Sequence, residues 1–102
     1  MNLREITIKI CEELSDEKTT LDPMSIELSG GVENYYGFKP KKKFHLFRQP
    51  PVFQLTMQYG KPTLISFVRE YDKKIEEIAK KEDFAYNFSE NRKFTLPAKA
   101  YL

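Results

Sequence analysis

One segment concentrates the side chains that could do chemistry: Tyr35-Tyr36-Gly37-Phe38-Lys39-Pro40-Lys41-Lys42-Lys43-Phe44-His45-Leu46-Phe47-Arg48. Lysines contact phosphates as point charges, and exposed aromatic rings stack on unpaired bases at about 1–3 kcal/mol each. The segment belongs to a longer run, Asn34 to Arg69, in which 36 consecutive residues include no Asp or Glu. Seven cations lie in that run: Lys39, Lys41, Lys42, Lys43, Arg48, Lys61 and Arg69. The formal net charge of +2 therefore divides into +7 inside the run and −5 outside it. Eight of the 14 aromatic residues share the run. Such separation creates a local field that favours polyanions, whatever the modest net charge suggests.

Other chemistries find little support. His45 is the sole histidine and Cys11 the sole cysteine, which excludes an internal disulfide and gives weak grounds for a transition-metal site. A Cys11–His45 nucleophilic pair is conceivable, but neither residue lies in a supporting motif. His45 reads more simply as a partly exposed strand residue. The carboxylates Asp72, Glu76 and Glu77 alternate with Lys73, Lys80 and Lys81, the pattern of a solvated helix face. No Asp and Glu-x-Lys set stands at a spacing suited to a metal-dependent nuclease. Gly30-Gly31 lacks the flanks of a phosphate-binding loop. An enzyme is not expected, nor is a cofactor or bound metal.

A chain of 102 residues has the size of one domain. Its apolar fraction of 40% predicts a fairly thin core, and its aromatic and aliphatic content argues against wholesale disorder. A lone thiol, an N-terminus without a seven-residue apolar centre and no run long enough to span a bilayer together predict a cytoplasmic setting without membrane contact.

The elements that must position these residues follow from periodicity. Leu3, Ile6, Ile10 and Leu14 form the stripe of an amphipathic helix over 3–14, with Asn2 as its cap and Glu5 three residues on. The β-branched Ile6, Thr7 and Ile8 weaken that helix, and Cys11 beside the stripe reads as a small buried residue. A polar loop from Ser15 to Pro23 leads to a short strand, Met24 to Leu28. A turn at Ser29-Gly30-Gly31 then precedes a return strand, Val32 to Tyr36. Gly37 to Lys43 reads as a loop or distorted edge, because Pro40 cannot donate to a ladder.

Strict alternation from Val52 to Tyr59 predicts a strand with Phe53, Leu55, Met57 and Tyr59 on one face and Gln54, Thr56 and Gln58 on the other. A turn at Gly60-Lys61-Pro62 and a second strand, Thr63 to Val68, follow. Phe44 to Phe47 is a further candidate strand. Residues 70–81 switch to helical period through Tyr71, Ile75, Ile78 and Ala79, with Glu76–Lys80 and Glu77–Lys81 as i,i+4 pairs. Phe84, Tyr86 and Phe88 alternate toward a turn at Ser89-Glu90-Asn91 and a final hairpin strand over Lys93 to Leu96.

The fold expected is α+β: an antiparallel sheet of about four to six strands covered by helices near 3–14 and 70–81. The expected function is a non-enzymatic binding protein that docks onto nucleic acid or a nucleoprotein. Lys39, Lys41, Lys42, Lys43 and Arg48 would contact phosphates. Tyr35, Tyr36 and Phe38, nearest the glycine and proline, would be the exposed aromatics. The alternative is a protein–protein interaction module, such as a small phage or mobile-element inhibitor that binds a host protein. Anti-CRISPR proteins exemplify that class, in being compact and without catalytic motifs. A homodimer through a sheet edge is a further structural option.

Overall fold

The computed structural model describes residues 2–27, 33–39 and 51–88. The expected strand over 44–47, the turn at 29–31, His45 and the final strand over 93–96 lie outside them. The elements run α1 (Leu3–Leu14), β1 (Asp22–Glu27), β2 (Glu33–Phe38), β3 (Phe53–Gln58), β4 (Lys61–Ser66), a 3-10 turn (Arg69–Tyr71), α2 (Asp72–Glu82) and β5 (Ala85–Phe88). The five strands form one sheet in chain order. This is the α+β architecture the sequence predicts.

Helix α1 matches its predicted limits. Asn2 caps it, its Oδ1 accepting from the Glu5 N–H at 2.9 Å. Thr7 is accommodated inside the helix because its hydroxyl donates to the Leu3 carbonyl at 2.7 Å, a local partner for a buried polar group. The helix stops at Ser15, whose hydroxyl donates to the Cys11 carbonyl and accepts from the Leu21 N–H, tying the following loop back to the helix end. In that loop the Asp16 carboxylate accepts from the N–H groups of Thr19 and Lys18, which holds its pKa below the usual carboxylate range.

Strands β1 to β4 pair antiparallel, as the expected sheet has them. Strand β5 does not form a hairpin with its predecessor. It pairs with β4 in parallel, Thr63 opposite Ala85 through Ser66 opposite Phe88. The connection between these strands carries α2, and a parallel pairing needs such a crossover.

Several boundaries move: β1 begins at Asp22, inside the expected loop, β4 ends at Ser66, and a 3-10 turn precedes α2, which begins at Asp72. Two shifts bear on the candidate site. Strand β2 continues through Gly37 to Phe38, so those residues are part of an inner strand flanked by β1 and β3 and not a loop or edge. The β3–β4 turn is Tyr59-Gly60, both at positive φ (52° and 76°), closed by the Gln58–Lys61 pair. That is the geometry of a two-residue primed turn, whose twist matches the flanking strands. Lys61 and Pro62 consequently belong to β4. Pro62 sits next to the closing pair, where its nitrogen points away from β3, and β5 pairing begins only at Thr63. No ladder hydrogen bond is lost there.

The core lies between the helices and one face of the sheet. Tyr35, Phe53, Leu55 and Leu64 from the strands meet Ile10, Cys11 and Leu14 of α1 and Ile75, Ile78 and Ala79 of α2. Helix α1 covers β1 to β3, and α2 covers β4 and β5. Across the seam between them run two ion pairs, Lys9–Glu82 at 3.6 Å and Lys81–Glu13 at 3.0 Å. Lys81 thus reaches to the other helix and not to Glu77, the partner its spacing predicted. Glu76–Lys80 forms as expected, at 3.0 Å, with the Tyr86 hydroxyl donating to the same carboxylate. Helix α2 ends in a Schellman arrangement: the Phe84 N–H donates to the Ala79 carbonyl at 2.8 Å while Asp83 takes the left-handed conformation, φ 58°.

Candidate functional site

The basic, aromatic segment divides when placed on this frame. Within β2, Tyr35 stands opposite Leu55, and Gly37 opposite Phe53. By strand alternation Tyr35 faces the helices, while Asn34, Tyr36 and Phe38 face the other side of the sheet. All three aromatics are buried on either face, Tyr36 and Phe38 to 4% exposure and Tyr35 to 8%. The expectation that they remain exposed is therefore corrected. Proximity to a glycine does not by itself leave a ring in solvent. Tyr36 and Phe38 approach each other at 6.2 Å between centroids. Burial also raises the Tyr36 phenol above its ordinary pKa.

Gly37 explains why this strand tolerates a large ring beside it. A Cβ at Gly37 would fall 2.2 Å from the Phe53 ring, so the glycine leaves the space that Phe53 fills. Phe53 itself is fully buried.

Lys39 leaves the end of β2 and is engaged within the molecule. Its ammonium donates to the Glu70 carboxylate and lies 5.1 Å from the centroid of the Tyr71 ring. The Glu70 hydrogen bond holds the Lys39 pKa above the usual lysine value, with Tyr71 adding to it. Lys61 is likewise met from outside the acid-free run, by Asp83 at 3.4 Å. Lys41, Lys42, Lys43 and Arg48 lie outside the described residues. Of the expected site, the structure places three aromatics in the interior and one lysine in an ion pair.

A different set of side chains faces solvent. On the hairpin between β3 and β4, Met57 is 48% exposed and Tyr59 is 105% exposed. Both continue the apolar alternation that buries Phe53 and Leu55, but the hairpin extends past the helix-covered part of the face. Gln58, Gly60 and Lys61 complete an exposed surface. The Lys61–Asp83 contact links the base of the hairpin to the C-terminus of α2, so Tyr59 and Asp83, the two non-glycine residues at positive φ among the described residues, lie at one end of the sheet. Sequence reasoning missed this surface because it assigned Met57 and Tyr59 to the buried face. The available signal was Tyr59-Gly60 itself, a glycine at the second position of a two-residue turn.

Among the described residues no group of three or more His, Cys, Asp or Glu side chains is gathered closely enough to hold a metal ion. Cys11 is buried, and burial pushes its thiol up to about 12, with Asp22 and Glu12 adding to the shift. A thiol so placed is a poor nucleophile at neutral pH. No helix among the described residues is long and apolar enough to cross a membrane. No protein-family model, no curated protein and no solved structure matches the chain.

Proposed function

We propose that this chain is a non-enzymatic protein-interaction module whose contact is the β3–β4 hairpin, with Tyr59 as its anchor. The observation that carries this reading is the conformation and exposure of Tyr59 together. Left-handed backbone at a bulky residue is disfavoured by about 1–2 kcal/mol, and the first position of a primed turn ordinarily goes to Asn, Asp or Gly. Tyr59 occupies it at φ 52° with its whole side chain in solvent. Neither packing nor turn geometry gains from a tyrosine there. Strain of this kind gathers at functional positions, and tyrosine is among the residues that dominate protein–protein contacts. Met57 beside it supplies an adaptable apolar neighbour.

The test uses Tyr59→Asn, since Asn-Gly is the preferred sequence for this turn and the fold is retained. Wild type, Tyr59→Asn and a Lys41/Lys42/Lys43→Ala variant are each used to capture partners from a nuclease-treated extract of the source cells. One defined protein should be held by wild type and by the lysine variant, with recovery at least about tenfold lower for Tyr59→Asn, the loss of one anchor worth about 1.4 kcal/mol or more. Equal recovery by Tyr59→Asn removes the hairpin from the contact.

A second reading rests on the charge pattern of the sequence. Lys41, Lys42, Lys43 and Arg48 contact the phosphates of a nucleic acid or nucleoprotein, without base stacking by Tyr35, Tyr36 or Phe38, which are buried. Affinity for a labelled single-stranded oligonucleotide should then fall steeply with salt, through counterion release, and vanish in the triple-alanine variant while surviving in Tyr59→Asn. Absence of salt-dependent binding by wild type eliminates this reading.

A further inference from the structure

We draw no further inference here: the strongest candidate, the apolar groove of about 250 Å³ along the seam between α1 and α2, lined by Ile6, Ile10, Ile78 and Phe84, carries nothing, because its rim carboxylates Glu13 and Glu82 already pair with Lys81 and Lys9 and nothing in the structure shows what would occupy it.

Discussion

Strand β2 and the β3–β4 hairpin both draw aromatic residues from the acid-free run, and the fold treats them oppositely. Tyr36 is 4% exposed on an inner strand; Tyr59 is fully exposed at a strand end. Their side chains are the same, and both have a glycine immediately after them. They differ in their place in the sheet. Strand β2 has β1 on one side and β3 on the other, whereas the turn at Tyr59-Gly60 has no strand beside it among the described residues. Aromatic content therefore marks buried positions in one place and a solvent-exposed one in the other.

The largest effect that would sharpen this contrast is a matched pair of truncations. Tyr36→Ala should lower unfolding free energy by about 3–5 kcal/mol, as for other buried aromatics, whereas Tyr59→Ala should change it by no more than about 0.5 kcal/mol. Urea denaturation reads both, and similar costs for the two would break the comparison. Next come the two glycines. Gly37→Ala drives a Cβ into the Phe53 ring and should cost about 1–3 kcal/mol, a cost relieved when Phe53 is also shortened to Leu. Gly60→Ala meets no neighbour within 4 Å and should cost only the backbone strain of φ 76°, about 1 kcal/mol.

The covered region should also show its burial as a pH dependence. The Cys11 pKa is raised to about 12, so the folded state keeps its proton where the unfolded thiol, near 8.5, has lost it. The stability it contributes is fully present below about pH 8.5 and is lost as pH rises toward 12, by at most about 1.4 kcal/mol per pH unit. Denaturation of wild type and Cys11→Ala across that window should show the wild-type advantage shrinking. A constant difference would mean that the thiol is solvated. The smallest effect concerns the hairpin base. A double-mutant cycle of Lys61→Met and Asp83→Asn should give a coupling of about 0.5 kcal/mol or less, since both side chains are largely in water.

The α+β class, α1, the core of α2 and the central strand pattern were legible because each rests on local periodicity. Leu3 to Leu14 repeats at three and four, and Phe53 and Leu55 alternate with Gln54 and Thr56, whatever the rest of the chain does. What escaped depends on residues far apart in sequence. Tyr36 stands beside Met24 and Gln54 in a register that no local pattern announces, and whether Lys39 is available is set by Glu70. Spacing favoured Glu77 as the partner of Lys81, although the ion pair is with Glu13 on the other helix. The parallel placement of β5 was hidden for the same reason: alternation at Phe84, Tyr86 and Phe88 announces a strand but not its partner.

That parallel placement has a consequence for the order in which the molecule assembles. Gln58 and Lys61 are three positions apart, so the hairpin closes through a minimal loop, on a microsecond scale of about 1–10 μs. Thr63 and Ala85 are 22 positions apart, with a whole helix to be organised before they meet. Closure entropy of that longer loop must be met before any ladder bond rewards it. By separation along the chain, the hairpin is expected to close before β5 docks beside β4, which pulse-labelled hydrogen exchange would read as earlier protection at Gln58–Lys61 than at Ala85–Phe88.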